Sequence, residues 1–272
     1  MTVALIILGV LAVLLAAFLF MVFPSVKKHS DLELLKGAFI AHRGLHDLEP
    51  NTPENSLPAF DAAARQGYII ENDIHITADG EVVIFHDGTP KRMCGVEGKI
   101  EDMTLAEIKK LHLLNTDLQI PTLKECLDLV DGRVPLLIEF KCEDSKTCER
   151  LCVAANEILK DYKGKYFVQS FYPLAVRWYK KHRKDICRGQ LACTFKNGPL
   201  VKRMLGCTLF NFFARPHFLS YCHNDEKHPC RRLNTLLGAF PVGWTFRTQQ
   251  EIDAVKDKFN TYIFEEFVPE KK

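Results

Sequence analysis

Short apolar segments alternate with amphipathic helical segments along most of this 272-residue chain. Segments typical of strands fall at 38–41, 68–77, 82–85, 135–141, 166–169, 189–193, 208–212, 241–246 and 262–264. Helical patterns fall at 57–66, 104–111, 122–130, 146–162 and 248–258, with one more ending near 182, and 213–237 reads as loops with a short helix. Ser56, Thr104 and Thr122 are predicted as the N-caps of the first three helices. Strands joined by helices of this length form parallel βα units. Because no glycine-rich dinucleotide fingerprint opens the series, the pattern favours a closed TIM (β/α)8 barrel over an open Rossmann sheet.

Length and composition agree with one large domain behind a distinct N-terminal segment. The 248 residues that follow position 24 match the size of a TIM barrel, which typically needs about 250 residues. Charged residues make up 26% and hydrophobic residues 47%, which excludes a disordered chain. A net charge of only +2 argues against a nucleic-acid partner. The predicted organisation is therefore an anchor at 1–24, a linker at 25–37 and a barrel at 38–272.

The N-terminal segment 3–23 carries no charge, and only Gly9 interrupts its run of large and small apolar residues. As a helix it would extend about 31 Å, the thickness of a bilayer's hydrocarbon core. A cleaved signal peptide would have a preceding cation and a small-x-small cleavage site, and a buried core helix would carry a polar stripe. Neither is evident, so the segment predicts a single uncleaved transmembrane helix.

The predictions of the membrane orientation and of the redox state of the cysteines rest on fewer residues. Lys27 and Lys28 follow the span and no Lys or Arg precedes it, so the positive-inside rule places the C-terminal domain in the cytoplasm. The ten cysteines are scattered without a C-x-x-C pair, which favours reduced, mostly buried thiols. In an oxidising compartment, Cys222 and Cys230 offer a pair that could bridge.

Polar side chains stand at the ends of several predicted strands, where a barrel gathers its catalytic groups. They are His42, Arg43, Glu71, Asp73, His86, Glu139, Lys141 and Trp244. Glu71 and Asp73 are two residues apart, so both side chains point to the same face of their strand. The Glu139–Lys141 pair alone reads best as an interior salt bridge. The whole set would cost too much to bury for packing alone.

These side chains have chemical properties that complement one another. Glu71, Asp73 and Glu139 suit a hard divalent cation, Mg²⁺ or Ca²⁺. Arg43 and Lys141 would then face an anion that bridges to the metal, and phosphate fits that charge and geometry. Two imidazoles can pass protons to and from the reacting oxygens. The residues therefore predict metal-dependent cleavage of a phosphoester.

Several short motifs, taken in their order along the chain, resemble those of one protein family. Ala41-His42-Arg43-Gly44, Pro53-Glu54-Asn55-Ser56, Glu71-x-Asp73, Thr77-x-Asp79-Gly80 and His86-Asp87 resemble the signature of glycerophosphodiester phosphodiesterases. Ile138-Glu139-Phe140-Lys141, Gln169-Ser170-Phe171 and Trp244-Thr245 resemble its later motifs. The resemblance extends from about residue 39 to 269. The chain departs from it at Glu265-Glu266, where the family usually has a Thr-Asp pair.

The resemblance implies a TIM barrel that hydrolyses glycerophosphodiesters to sn-glycerol 3-phosphate and an alcohol. It assigns acid-base catalysis to His42 and His86, without saying which is the acid. The roles that it implies for other residues are metal binding by Glu71, Asp73 and Glu139, and substrate binding by Arg43, Lys141, Trp244 and Glu54. Glu54 has a simpler alternative role in the first turn of a helix. Of the remaining histidines, His46 is expected in solvent and His75 in the packed interior.

Several alternatives stay open at this point. The substrate is a soluble glycerophosphodiester, or a membrane lysophospholipid cleaved by the same site. The aromatic stretches 210–213 and 218–221 would supply interfacial contacts for the second substrate, and core packing explains them at least as well. A barrel that only binds glycerophosphate is disfavoured, because binding has no use for a proton-transfer pair. The attacking oxygen is that of water or of the neighbouring glycerol hydroxyl. The oligomeric state, the head group and the choice of metal are not determined.

Overall fold

The computed structural model describes residues 1–48 and 52–270, so residues 49–51 and 271–272 of the predicted barrel domain lie outside it. The strands are β1 (Phe39–Ala41), β2 (Ile69–Ile76), β3 (Val82–Ile84), β4 (Leu136–Phe140), β5 (Tyr166–Ser170), β6 (Cys187–Ala192), β7 (Phe218–Cys222), β8 (Phe240–Phe246) and β9 (Thr261–Phe264). All except β3 are joined in parallel, and β1 pairs with both β2 and β9. The sheet therefore closes into the predicted eight-stranded barrel. β3 is an antiparallel addition to the end of β2.

Helices surround this barrel and one precedes it. They are α1 (Thr2–Val22), α2 (Leu57–Arg65), α3 (Lys91–Cys94), α4 (Leu105–Ile108), α5 (Leu123–Val130), α6 (Ser145–Leu159), α7 (Pro173–His182), α8 (Leu200–Gly206), α9 (Asn211–Ala214), α10 (Pro229–Leu236) and α11 (Gln249–Val255). The predicted N-caps are confirmed. The Ser56 hydroxyl accepts the Ala59 N–H, and Thr104 and Thr122 each form a capping box with the glutamate three residues on.

One strand assignment was wrong. The predicted strand at 208–212 contains the start of α9, whereas β7 lies inside 213–237, which was predicted as loops. Arg215, in the left-handed region at φ 45°, ends α9, and Pro216 then starts an extended segment. Phe218 and Tyr221 are fully buried in the barrel wall, so the stretch 218–221 offers no interfacial surface.

The core has two layers on either side of the strands. The outer layer packs helices onto the sheet, with Phe60 and Leu123 among its buried residues. The inner layer fills the barrel below the site and includes Phe167 and Phe218. Leu32 and Leu35 join this inner layer from a 3-10 turn at Ser30–Leu35. Part of the predicted linker is therefore a plug for the amino end of the barrel.

α1 is one continuous helix, as predicted for 3–23. It is the only helix within the described residues that is long and apolar enough to cross a membrane. Residues 1–17 are exposed, and contact with the barrel is confined to the last turns of the helix, where Val22 is completely buried. The helix therefore projects from the domain while its carboxyl end is fixed to it.

All ten cysteines carry free thiols, four of them buried and six half-buried. The suggested bridge between Cys222 and Cys230 does not form. Cys230 lies instead near Cys207 and His228, with their ligand atoms all within 4.8 Å of one another.

Candidate active site

The predicted polar groups meet at the carboxyl ends of the strands, around a cavity of about 310 Å³. Seven of the nine predicted site residues line it: His42, Arg43, Glu71, His86, Glu139, Lys141 and Trp244. Asp73, which is completely buried, and Glu54 complete the set through ion pairs with Arg43. Side chains from distant parts of the chain thus share one pocket.

Three buried carboxylates form the centre of this pocket. Asp73 and Glu139 are register partners on β2 and β4, and Glu71 lies on the same face of β2 as Asp73. Oxygens of Glu71, Asp73 and Glu139 lie within 4.8 Å of one another, and none of the three residues is more than 6% exposed. Such an all-oxygen donor set fits a hard divalent cation.

The electrostatics of the carboxylates support this fit. Burial, followed by repulsion from Asp73 and Glu139, raises the pKa of Glu71 well above its ordinary value. Burial also raises the pKa of Glu139 despite the neighbouring ammonium group of Lys141. The pKa of Asp73 is lowered, because Lys141, His86 and Arg43 together outweigh its burial. A divalent cation would relieve the repulsion that raises the pKa of Glu71.

Two cations contact the carboxylates. Lys141 Nζ lies 2.6 Å from Glu139 Oε1 and 2.9 Å from Asp73 Oδ1. These partners outweigh burial and raise the pKa of Lys141, which stays protonated at neutral pH. Arg43 Nε lies 3.4 Å from Asp73 Oδ2, while the Arg43 backbone N–H donates to Glu71 Oε2 at 3.1 Å. Glu54 accepts a hydrogen bond from the Arg43 guanidinium at 3.0 Å. It therefore positions Arg43 without lining the cavity itself.

A tight turn after β1 brings Arg43 into the mouth. Arg43 and Gly44 both adopt positive φ, at 55° and 82°. A Cβ on Gly44 would come within 2.8 Å of the Ala59 carbonyl carbon, so only glycine fits between this turn and α2. The Arg-Gly order therefore has a backbone reason as well as a chemical one.

His42 is held by a carboxylate that sequence reasoning did not assign to the site. Its Nδ1–H donates to Glu265 Oε2 at 2.5 Å, which leaves Nε2 for the cavity. Burial is the largest influence on His42 and lowers its pKa, against the opposing effect of Glu265. For Glu265, burial is the largest influence and raises the pKa, but the hydrogen bond from His42 and the charges of His42, Arg247 and Arg43 together outweigh it and lower the pKa to about 2. Arg247 also forms an ion pair with Glu265.

His86 has a similar arrangement with its own carboxylate. Its Nδ1–H donates to Asp87 Oδ1 at 2.7 Å, and Arg92 Nε donates to Asp87 Oδ2 at the same distance. Burial is the main cause that lowers the pKa of His86. Arg92 also bonds Glu54, so one arginine connects the support of His86 with that of Arg43. Both histidines are thus oriented before substrate arrives.

Other supporting residues were missed or misplaced. Asn55 Nδ2 donates to Asp73 Oδ2 at 2.9 Å, and its place in Pro53-Glu54-Asn55-Ser56 was the available signal. His46 was predicted in solvent, which is wrong: it is only 5% exposed, and its Nε2 lies 4.0 Å from Glu265 Oε2. His75 is buried as predicted. Trp244 packs edge-on against Phe171, with ring centroids 5.7 Å apart.

The fold and the pocket agree with what comparison with known proteins shows about the family of this chain. The model of the glycerophosphoryl diester phosphodiesterase family matches residues 42–257, and the chain belongs to this family. It is 34% identical over 192 residues to glycerophosphodiester phosphodiesterase 1 of Homo sapiens, covering 65% of this chain and 55% of that protein. It is 27% identical over 166 residues to a lysophospholipase D of Rattus norvegicus, covering 56% and 50%. The chain thus spans about half the length of these curated relatives.

Solved structures show the same fold. A phosphodiesterase from Oleispira antarctica, in complex with the product sn-glycerol-3-phosphate, superposes with a TM-score of 0.71 at 24% identity, covering 86% of this chain and 94% of that one. A glycerophosphodiester phosphodiesterase from Thermotoga maritima gives a TM-score of 0.65 at 25% identity, covering 83% and 93%.

Proposed function

We propose that this protein hydrolyses glycerophosphodiesters to sn-glycerol 3-phosphate and an alcohol at the mouth of the barrel. The observation that carries the proposal is a buried carboxylate triad flanked by two histidines, each hydrogen-bonded to its own carboxylate. A pocket that only bound glycerophosphate would not need two oriented imidazoles, and this favours catalysis over simple binding.

Glu71, Asp73 and Glu139 would hold a divalent cation, Mg²⁺ or Ca²⁺, and the bound cation would supply charge neutralisation at the phosphate. The donor chemistry supports such a cation without distinguishing between the two. Arg43 and Lys141 would bind the phosphate oxygens, since both point their cationic groups at the same centre. Trp244 would pack against the substrate at the rim of the cavity.

The two histidines would divide the proton transfers. One imidazole takes a proton from the attacking oxygen, and the other gives a proton to the oxygen of the leaving alcohol. Glu265 and Asp87 hold the two rings in position and fix Nδ1 as the protonated nitrogen in the neutral form. Nε2 of each ring is then the atom that exchanges protons with substrate.

The position of the mouth favours soluble substrates over membrane lysophospholipids. α1 leaves the barrel beside Pro216, which precedes the amino end of β7. The cavity lies at the carboxyl ends of the strands, at the opposite end of the barrel. If α1 spans the membrane, as we also propose, the mouth opens away from the bilayer. A lysophospholipase D activity on bilayer lipids is therefore the second candidate, supported by similarity to a relative of that name.

Lys27 and Lys28 remain the basis for proposing a cytoplasmic catalytic domain. A reporter that is active in only one compartment, fused to the C-terminus, tests this orientation. A signal from outside the cytoplasm would reverse it.

Substrate class is tested with the full chain purified in detergent and assayed on soluble glycerophosphodiesters and on lysophospholipids. Each assay is run after chelation, with Mg²⁺ or Ca²⁺ added back. We expect the higher kcat/KM on the soluble substrates. A clear preference for lysophospholipids would select the second candidate, and cleavage of neither would reject the proposed function.

A further inference from the structure

Positive charge is concentrated in one stretch of the chain. Residues 177–215 contain ten lysines and arginines against a single acid, Asp185, although the whole chain carries only +2. The remainder of the protein is therefore net acidic. The stretch begins in α7, passes through β6 and α8, and ends just before β7.

Contacts place much of this charge at the amino end of the barrel. Asp185 and Pro216 lie two residues before β6 and β7, and both contact the segment that follows α1. His29 Nε2 lies 3.0 Å from the Asp185 carbonyl oxygen, and the Ser25 N–H donates to the Pro216 carbonyl at 2.9 Å. Since residues 27 and 28 lie between these two contacts, their side chains belong to the same end of the molecule.

The end of α1 is fixed at this location by the basic stretch itself. Arg215 donates to the carbonyl oxygens of Phe20 and Phe23, at 3.1 and 2.6 Å, and its guanidinium lies 4.8 Å from the centre of the Phe20 ring. Phe212, which is 36% exposed, lies beside the Phe20 ring. Aromatic rings and snorkelling arginines are typical of the membrane interface.

The exposed cations around this point form what we call the basic rim: Lys27, Lys28, Arg177, Lys181 and Lys184. The guanidinium of Arg177 lies 5.4 Å from the centre of the Phe213 ring, next to Phe212. Within the described residues, no carboxylate lies within ion-pair distance of any of them, whereas Lys36, Lys165 and Arg183 nearby are paired. Arg183 already occupies Asp185, the only acid of the stretch. The rim therefore presents positive charge that no carboxylate in the described part of the chain pairs with.

We propose that the basic rim lies against anionic phospholipid head groups of the leaflet at the carboxyl end of α1. The inference rests on the proposed membrane span and not on catalysis. Each cation near an anionic membrane surface strengthens association by a factor of about five. Five such cations beside the anchor would hold the barrel with its amino end on the lipid and its mouth facing water.

Lysine footprinting of the full chain tests this contact. The protein is placed in vesicles of phosphatidylcholine alone or mixed with phosphatidylglycerol and treated with acetic anhydride, a neutral amine reagent. Mass spectrometry then gives the acylation rate of each lysine. Lys146 follows β4 at the mouth end and Lys110 lies before α5, so these two exposed lysines are internal references.

We expect Lys181 and Lys184 to react at least about fivefold more slowly in the anionic vesicles, with the difference abolished by high salt. Lys110 and Lys146 should react equally in both vesicles. Equal protection of Lys181 and Lys184 in neutral vesicles would overturn the proposal in favour of a protein–protein contact. So would protection of Lys146 in place of Lys181, or the absence of any protection.

A charge-reversal pair provides the matched control. K181E/K184E should restore the reactivity of Lys27 and Lys28 in anionic vesicles, because the rim loses its attraction for the lipid. K110E/K146E makes the same change in net charge elsewhere and should leave Lys27 and Lys28 protected. The same outcome in both variants would contradict a local contact. Since no step measures turnover, failure of this proposal is distinguishable from failure of the proposed function.

Discussion

Glu265 shows how much the site depends on residues that touch the proposed catalytic groups without joining the proposed chemistry. It follows β9, far along the chain from His42, yet its carboxylate fixes the orientation of the His42 ring. Because the hydrogen bond stabilises the imidazolium, Glu265 also opposes the lowering of the His42 pKa that burial produces. Glu265 is thus a positioning residue, and its effect should be visible in the pH profile.

Replacing Glu265 by Gln should lower kcat about 100-fold with little change in KM, the loss typical of a poorly oriented acid or base. The pKa of His42 should fall further, since the charge that raises it is gone. The pH-rate limb that reports His42 therefore moves to lower pH, whether His42 acts as acid or as base. E266Q, at an exposed neighbour, is the control. An unchanged pH profile in E265Q would reject the positioning role.

The histidines themselves give a second prediction. His42→Ala and His86→Ala should each reduce turnover by about 10²–10⁴-fold, because each removes one proton-transfer group. Circular dichroism and thermal unfolding should stay close to those of the parent. Substantial residual activity in both variants would remove the two-histidine mechanism.

At the scale of elements, the turn after β1 and the first turns of α2 are in close contact. Gly44→Ala would place a Cβ 2.8 Å from the Ala59 backbone in addition to its strain at positive φ. We expect a loss of about 2 kcal/mol or more in the free energy of unfolding, measured by urea titration. Gly80→Ala shares the positive φ but faces open space, and it should cost about 1 kcal/mol. Equal losses would show that the contact is unimportant.

The plug at the amino end is also an element with a measurable contribution. Leu35 is completely buried in the inner core, whereas the adjacent Leu34 is 44% exposed. Leu35→Ala should cost about 2–5 kcal/mol of unfolding free energy, and Leu34→Ala less than about 0.5. If both variants unfold like the parent, residues 25–37 act only as a linker.

Sequence patterns located the helices and strands whose apolar residues recur with the period of that element and are buried on one face. They failed where contacts between distant segments decide the local structure. The capped helices α2, α4 and α5 followed from local signals at Ser56, Thr104 and Thr122. β7 did not, because a five-residue strand with four buried residues resembles any short apolar run, and the aromatic stretch before it favoured a strand at the wrong place.

The residues of the candidate site also fall into those that local patterns predicted and those that distant contacts decide. Groups at strand ends were predictable, because the carboxyl ends of parallel strands meet in a barrel. Glu265 and the buried His46 were not, because their contacts join distant segments that share no local pattern.

At the scale of the whole molecule, the two ends of the barrel have different properties. The mouth gathers buried carboxylates and the two histidines proposed to transfer protons. The amino end carries the plug, the end of α1 and exposed cations that pair with no described carboxylate. This polarity is invisible in the overall charge of +2. It links the fold to the proposed use of the protein, a barrel held on a membrane surface with its pocket directed towards soluble substrate.

The central claim is that Glu71, Asp73 and Glu139 bind a divalent cation that hydrolysis requires. The most direct measurement is turnover of a panel of soluble glycerophosphodiesters by the purified full chain after chelation, and again after Mg²⁺ or Ca²⁺ is restored, for the parent and for Glu71→Gln. Calorimetric titration with the same ions reports binding independently. We expect chelation to abolish turnover, one of the ions to restore it, and the variant to bind and respond weakly. Turnover that is indifferent to both chelator and E71Q would contradict the account.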